Sequence, residues 1–321
     1  MKPKVYITRR IPKEAMDIIA GRCEYRIWDR EDEAVPRDVL EAEVGDVDGL
    51  FSLLTERIDE RLLDRAPRLK VVANMAVGYD NIDVAACMRR GITVTNTPGV
   101  LTETTADLAF SLMMAAARRV TEAERFLREG KWKTWSPMLL TGVDLYGKTL
   151  GIIGLGRIGQ AVARRARGFS MRVLYTSDRP HPDLEAGLGV ERCDLDGLLK
   201  ESDFVSIHVP LTDRTRGMIG RRELSLMKPT AVLVNTSRGA VVREQELIET
   251  LREKRIFAAG LDVFETEPLP QDSPLLELDN VVLLPHIGSA SIATRTKMAV
   301  MAAENLVRLL SGQEPLNPVT V

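Results

Sequence analysis

The sequence has few of the residues that mark disulfide-rich, metal-binding or membrane proteins. Its 321 residues include three cysteines and three histidines. Cys23, Cys87 and Cys193 are far apart and odd in number, which suggests neither a disulfide framework nor a zinc site. We interpret them as small buried apolar residues. The longest apolar runs are far shorter than the ~18 residues that span a bilayer, and no signal-peptide pattern precedes the first strand. We therefore expect a cytoplasmic protein without a metal site.

An excess of basic residues is also missing. Forty-four lysines and arginines oppose 46 acidic residues, which gives a formal net charge of −2. Nucleic-acid-binding domains normally carry a basic surplus, so we expect no nucleic-acid partner. The hydrophobic fraction of 45% and the charged fraction of 28% are ordinary for a globular protein. The length corresponds to about two domains.

Short apolar runs alternate with helical patterns in two blocks of the chain. This β/α alternation predicts two parallel sheets with helices on both faces. Between the blocks, a long helix is predicted from Thr102 to Arg118, continuing toward Gly130, as the link between two domains. The predicted strands of the first block are Val5–Thr8, Glu24–Trp28, Gly49–Leu53, Lys70–Met75 and Ile92–Thr95, and the six of the second are Lys148–Gly154, Arg172–Thr176, Phe204–Val209, Ala231–Thr236, Ala258–Phe264 and Asn280–Pro285.

A last amphipathic helix, from about Ser291 to Leu310, has an apolar face that needs cover. Because the second sheet is already complete, we expect this helix to fold back on the first domain. The predicted fold is α/β, with two doubly wound parallel-sheet domains and the active site in the cleft between them. Residues 1–98 with 289–321 would form a flavodoxin-like substrate-binding domain. Residues 99–288 would form a Rossmann dinucleotide-binding domain that includes the linking helix.

A glycine-rich turn begins the second block. Gly154, Gly156 and Gly159 follow an apolar strand and open a helix, as a G-x-G-x-x-G dinucleotide motif requires. The first glycine permits the sharp turn, the second lets the backbone approach a pyrophosphate, and the third lets helix and strand pack closely. The turn predicts a dinucleotide site that also includes Leu155, Arg157 and Ile158.

The end of the next predicted strand indicates which dinucleotide is used. The position where an acidic residue would bind the ribose of NAD falls on Ser177, followed by Asp178 and Arg179. Ser177 and Arg179 suit the 2′-phosphate of NADP, whereas Asp178 does not. We therefore favour NADP(H) over NAD(H) and leave dual use open.

Polar side chains follow the last three predicted strands. Arg238, Glu267 and His286 each lie just beyond a strand end, where ligands of open α/β sheets bind. Arg238 can hold a carboxylate and polarise the adjacent carbonyl. His286 can donate a proton to that carbonyl oxygen as hydride arrives, and Glu267 would pair with the charged imidazole. The three groups together fit the reduction of a 2-keto acid. His208, within a predicted strand, is interpreted as a core or rim histidine.

Four motifs give the chain a resemblance to a known family. It resembles the D-isomer-specific 2-hydroxyacid dehydrogenases, and among them the glyoxylate/hydroxypyruvate reductases. The resemblance implies reduction of glyoxylate to glycolate and of hydroxypyruvate to D-glycerate, with Arg238, Glu267 and His286 as the catalytic triad. The motifs are Gly151–Gly159, Asn235–Gly239, Gly260–Pro268 and Leu284–Ser289.

The same resemblance implies further binding residues and a homodimer. The loop that contains Val77 and Gly78 would offer backbone N–H groups to the substrate carboxylate. A tryptophan of the partner subunit, matched best by Trp135, would approach the substrate pocket, which Leu53 would also line. The remaining predicted cofactor residues are Thr105, Val209, Pro210, Thr236, Ser237, Asp262 and Gly288.

Several alternatives stay open at this point. Glycine turns also hold S-adenosylmethionine, but the third glycine and the triad disfavour a methyltransferase. A D-lactate or other D-2-hydroxyacid dehydrogenase would use the same residues, as would a phosphoglycerate dehydrogenase. A nucleotide-sensing regulatory protein on this fold is a further alternative of a different class.

Overall fold

The chain divides into two compact units in a computed structural model that describes residues 2–320. The first unit contains the residues up to Leu101 and those from Ser289 onward, and the second contains Thr102–Gly288. Among residues 2–320, none of the helices combines the length with the hydropathy that a membrane span needs.

Strands and helices alternate through both units. The strands are β1 (Lys4–Ile7), β2 (Glu24–Ile27), β3 (Gly49–Ser52), β4 (Val71–Asn74), β5 (Thr93–Thr95), β6 (Thr149–Ile153), β7 (Arg172–Thr176), β8 (Val190–Arg192), β9 (Phe204–Ile207), β10 (Val232–Asn235), β11 (Ala258–Leu261) and β12 (Val281–Leu283). The α-helices are α1 (Lys13–Arg22), α2 (Arg37–Glu43), α3 (Glu60–Leu63), α4 (Val84–Arg89), α5 (Thr102–Ala117), α6 (Val120–Arg128), α7 (Arg157–Ala166), α8 (Pro182–Leu188), α9 (Leu195–Glu201), α10 (Arg221–Leu226), α11 (Glu244–Arg252) and α12 (Ile292–Leu310).

The first unit is built on a parallel five-stranded sheet in the order β2-β1-β3-β4-β5. Its central strands β3 and β4 are buried on both faces, as expected of strands covered by helices on each side. The C-terminal helix α12 packs on one face beside α1. The side chains buried there include Ala299, Ala302, Ala303 and Leu306 of α12 with Val5, Ile7, Ile19 and Phe51.

The second unit is built on a parallel seven-stranded sheet in the order β12-β11-β10-β9-β6-β7-β8. One face packs on α5 and α7, with Met113, Val162 and Leu150 in its core. The other face packs on α9 and α11, with Leu198, Val205 and Leu247 in its core. This topology places the carboxyl ends of β6, β9, β10, β11 and β12 along one edge of the sheet.

Two sequence-based expectations about elements are wrong. The helix from Thr102 does not run continuously toward Gly130, because Arg119 has a left-handed backbone with φ 52° that separates α5 from α6. Helix α5 packs against β10 and β11 within the second unit. The second sheet also has a seventh strand, β8, whose sequence Val-Glu-Arg buries only its first side chain at the sheet edge.

Candidate active site

Three polar loops follow adjacent strands of the second sheet. Strand β10 pairs with β11 and β11 pairs with β12, all in parallel, so their carboxyl ends lie side by side. Arg238, Glu267 and His286 lie in the loops that leave these ends. The topology therefore brings the three predicted catalytic residues to one edge of the sheet.

His286 and Glu267 form a direct pair. Nδ1 of His286 lies 2.7 Å from Oε2 of Glu267, and about a quarter of each side chain is exposed. The other carboxylate oxygen, Oε1, accepts a hydrogen bond of 3.1 Å from the backbone N–H of Phe264. Because Glu267 engages Nδ1, Nε2 is the ring nitrogen that can transfer a proton to a substrate.

The surroundings of Glu267 keep it ionised. Burial acts to raise its pKa, but the hydrogen bond and charge of His286, the Phe264 N–H and the charge of Arg238 outweigh that effect. The pKa of Glu267 therefore lies below its ordinary value. An ionised carboxylate beside the ring orients the imidazole and balances its positive charge when it holds the proton to be donated.

Asp262 holds the loop that carries His286. The backbone of His286 is left-handed, with φ 53°, which is uncommon for a residue with a side chain. The two carboxylate oxygens of Asp262 accept hydrogen bonds of 2.7 Å from the N–H groups of Ile287 and Gly288. Burial raises the pKa of Asp262 even though these donors act to lower it. A Cβ on Gly288 would lie within 3.4 Å of both Asp262 and Thr105, so the three predicted cofactor residues lie together.

Asn235 organises the loop that carries Arg238, a role the sequence analysis did not assign. Its side-chain amide donates to the Arg238 carbonyl at 2.9 Å, and its Oδ1 accepts from the Ser237 N–H at 3.0 Å. An asparagine at a strand end before Thr-Ser-Arg-Gly is the available sequence signal, because asparagine favours such local turns. At Gly239 an added Cβ would lie 1.9 Å from the carbonyl carbon of Phe264. The Arg238 loop thus packs directly on the backbone that leads to Glu267.

The glycine turn after β6 has the geometry of a pyrophosphate site. Gly154 has φ 96°, and a Cβ there would lie 2.9 Å from the backbone of His208. A Cβ on Gly159 would lie 2.2 Å from the Gly154 carbonyl oxygen, so α7 packs tightly on the turn. Nothing lies within 4 Å of the Cβ position of Gly156, which directly precedes α7. The first N–H groups of α7 can therefore approach an anion.

The other predicted cofactor residues of this edge have varied surroundings. Leu155 is buried in the core, Ile158 packs against it, and Arg157 is exposed. Val209 and Pro210 follow β9, and Val209 lies beside the Gly154 turn. Ser237 is held by Asn235. Within residues 2–320 the buried Thr236 hydroxyl has no hydrogen-bond partner, as expected of a group that binds a ligand. These residues fit a dinucleotide.

Two arginine side chains contact the residues after β7 that are predicted to bind the 2′-phosphate. Asp178 pairs with Arg214, whose Nη2 lies 2.6 Å from Oδ2 of Asp178. The hydroxyl of Ser177 donates to the carbonyl of Arg179 at 2.6 Å. Arg192, at the end of β8, donates to the Ser177 carbonyl at 3.4 Å. Sequence reasoning missed Arg192 and Arg214, because nothing in the chain order brings them to Ser177 and Asp178.

The predicted substrate-binding residues belong to two different units. Leu53 follows β3, and Val77 and Gly78 follow β4, so these three lie at strand ends of the first sheet. Trp135 lies in the second unit, in the segment between α6 and β6, and its side chain is 77% exposed. Trp132 in the same segment donates its indole N–H to the Thr134 carbonyl at 2.9 Å.

Comparisons with known proteins show which family the chain resembles. Residues 110–288 match the family model of the D-isomer specific 2-hydroxyacid dehydrogenase NAD-binding domain. The chain is 57% identical to the glyoxylate reductase of Korarchaeum cryptofilum over 99% of its own length and 96% of that protein. The structure of the TT0316 protein from Thermus thermophilus superposes with a TM-score of 0.92 at 47% identity, covering 99% of this chain and all of that one.

A second solved structure was determined with ligands. The NADPH-dependent glyoxylate/hydroxypyruvate reductase of Sinorhizobium meliloti, in complex with NADP and malonate, is 36% identical, with a TM-score of 0.85. The alignment covers all of this chain and 97% of that one. The chain therefore belongs to the D-isomer specific 2-hydroxyacid dehydrogenase family. It is a nicotinamide-dependent enzyme, which confirms the resemblance that the motifs indicate.

Proposed function

We propose that this enzyme reduces small 2-keto acids, glyoxylate to glycolate and hydroxypyruvate to D-glycerate. The observation that carries the proposal is the contact of 2.7 Å between His286 and Glu267. The strands that precede these two residues and Arg238 are neighbours in the sheet. The names of its relatives support glyoxylate and hydroxypyruvate as substrates. An acid, a carboxylate partner and a guanidinium are the groups that this reduction needs from the protein.

Each residue has a defined part in the reaction. A reduced nicotinamide dinucleotide held at the Gly154 turn would supply the hydride that the keto carbon receives. Arg238 binds the substrate carboxylate and polarises the keto oxygen, and His286 donates the proton from Nε2 to that oxygen. Glu267 keeps the ring oriented and balances its charge. Val77 and Gly78 lie in the first unit, and we propose that their backbone N–H groups bind the carboxylate of the keto acid.

A panel of 2-keto acids tests the proposal. We expect the highest kcat/KM with glyoxylate and hydroxypyruvate, measured from the near-ultraviolet absorbance of the reduced cofactor. A clear preference for pyruvate or for phosphohydroxypyruvate would contradict the proposal and favour a lactate or phosphoglycerate dehydrogenase. Tight cofactor binding without turnover of any keto acid would favour the nucleotide-sensing alternative.

We also propose that NADPH is preferred over NADH. Arg192 contacts Ser177, Arg214 contacts Asp178, and Arg179 lies two residues after Ser177. A doubly charged 2′-phosphate gains most from nearby guanidinium ions. Asp178, which would repel a phosphate, is paired with Arg214. Fluorescence titration should give a lower Kd for NADPH than for NADH, and the reverse order would contradict this part.

A homodimer is the third part of the proposal. Helix α6 buries none of its residues, and the segment that follows exposes large apolar side chains. Such a concentration of exposed apolar side chains is typical of an interface. These side chains are Val120, Leu127, Trp132, Trp135, Met138 and Tyr146. Light scattering should give twice the mass of the chain, and Leu127→Glu should lower that mass toward the monomer. A monomeric wild type would refute this part.

A further inference from the structure

The loop after β4 has an ordered set of backbone carbonyls. The Ala76 carbonyl accepts from the Thr97 N–H at 2.9 Å. The next two carbonyls accept from side-chain amides: Val77 O from Nδ2 of Asn96 at 2.8 Å and Gly78 O from Nδ2 of Asn74 at 3.0 Å. Three consecutive carbonyls are thus directed toward the protein.

The planarity of the peptide bond fixes where the N–H groups point. In a trans peptide the N–H is opposite to the carbonyl of the preceding residue. Inward carbonyls of Ala76, Val77 and Gly78 therefore turn the N–H groups of Val77, Gly78 and Tyr79 outward. Across the described part of the chain, none of these three N–H groups donates a hydrogen bond to the protein. Successive outward N–H groups form a concavity that binds anions.

We propose that Asn74 and Asn96 are positioning residues that orient this loop to bind the carboxylate of the keto acid. Asn96 sets the direction of the Gly78 N–H, and Asn74 sets that of the Tyr79 N–H, which becomes a third carboxylate donor. The inference rests on the proposed function, since that function supplies the carboxylate.

Both asparagines are themselves held in place. Asn74 is fully buried at the end of β4, and its Oδ1 accepts from the Ser52 hydroxyl at 3.5 Å. The backbone N–H of Asn96 donates to the Asn317 carbonyl at 3.2 Å, and Asn317 is tied to the buried Asn305 of α12. The C-terminal segment after α12 therefore anchors the residue that directs the Gly78 N–H.

The test replaces each amide donor and measures carboxylate binding separately from turnover. Asn96→Asp keeps the size of the side chain but removes its donor, and Asn74→Ala removes the other donor. We expect KM for glyoxylate and Ki for oxalate, a dicarboxylate that is not reduced, to rise about 10- to 100-fold because a hydrogen bond to a charged group is misaligned. The Kd for NADPH should stay within about twofold, and kcat should fall much less than KM rises.

Asn280→Asp is the matched control. Asn280 is also half-buried and also donates to two backbone carbonyls, those of Leu251 and Phe257, but it lies in the second unit. We expect its KM and Ki to equal the wild-type values even if its Tm falls. If Asn74→Ala does not fold, Asn96→Asp decides the question, because Asn96 is only half-buried.

The outcomes separate the inference from the proposed function. An active wild type whose Asn96 variant keeps its KM and Ki would overturn the inference alone. A loss of kcat without a rise in KM, or an equal rise in the Asn280 control, would overturn it as well. A wild type inert with every 2-keto acid would overturn the proposed function and the inference with it.

Discussion

Replacing Arg214 with glutamine tests how this enzyme chooses between the two nicotinamide dinucleotides. Arg214 and Asp178 form an ion pair of 2.6 Å, and more than three-quarters of each side chain is exposed. In Arg214→Gln the Asp178 carboxylate loses its partner beside Ser177 and Arg179. We place the 2′-phosphate of NADP there, so the unpaired carboxylate should repel it.

The exposure of the pair determines the size of the effect. Two unit charges about 4 Å apart in a water-like dielectric interact by about 1 kcal/mol. This value suits solvent-exposed charges better than the larger value that applies to buried charges. A phosphate with nearly two charges gives about 2 kcal/mol, which is roughly 30-fold in Kd. NADH lacks the phosphate, so its Kd should change by less than about threefold.

The assay is a fluorescence titration of four proteins with NADPH and NADH: wild type, Arg214→Gln, Asp178→Asn and the double variant. We expect the double variant to recover NADPH binding to within about threefold of wild type, because it has no carboxylate to repel the phosphate. The 30-fold loss in Arg214→Gln should shrink in high salt, since exposed charges are screened. If the double variant binds NADPH as weakly as Arg214→Gln, Arg214 contacts the phosphate itself. The proposal that Arg214 acts by neutralising Asp178 is then wrong.

Three further predictions concern the catalytic pair, acid stability and one close backbone contact. His286→Asn should lower kcat by about 10²- to 10⁴-fold with NADPH binding unchanged, and asparagine tolerates the left-handed backbone at this position. Glu267→Gln should lower kcat less. A wild-type kcat in His286→Asn would refute the role of His286 as the acid. Burial lowers the pKa of His208 from 6.5 to about 4. Below pH 6.5 His208 is therefore protonated in the unfolded chain but stays neutral in the native state. The free energy of unfolding falls by up to about 3 kcal/mol as the pH approaches 4. Urea unfolding of His208→Gln across that pH range should show a smaller loss of stability than the wild type. An equal loss would mean that other groups cause the pH dependence. Gly239→Ala should lower both Tm and kcat, because its Cβ would lie 1.9 Å from a backbone carbon, whereas Gly168→Ala, with open space around the Cβ, should change neither.

Strands buried on both faces are readable from the sequence, and short edge strands are not. Strand β10 (Val232–Asn235) is buried throughout and apolar up to its last residue, because helices cover both of its faces. Strand β8 (Val190–Arg192) has one buried residue and two charged ones, a pattern equally typical of a loop. The break between α5 and α6 at Arg119 could not be predicted from the sequence either. Arginine is a good helix former, and its left-handed backbone is accompanied by an ion pair with Glu122 that only the fold reveals.

The chemistry of the site could be predicted from residue types at strand ends, but the residues that hold it could not. Arg238, Glu267 and His286 are recognisable because few other groups can bind a carboxylate or donate a proton. Asn235 and Asn96 are ordinary polar residues in sequence. Their importance lies in which backbone carbonyl each amide reaches, and that depends on neighbouring loops rather than on local pattern.

Catalysis and cofactor preference depend on side chains that differ in their exposure to solvent. The pair of Glu267 and His286 is partly buried, and its loops are held by buried side chains such as Asp262, so a substitution there disturbs several hydrogen bonds at once. Asp178 and Arg214 are exposed, and exposed positions tolerate substitution at little cost in stability. Cofactor preference can therefore change by one or two surface charges while the catalytic residues stay fixed. Membership of the family thus establishes the reaction class, whereas the cofactor must be argued from the charges around Ser177.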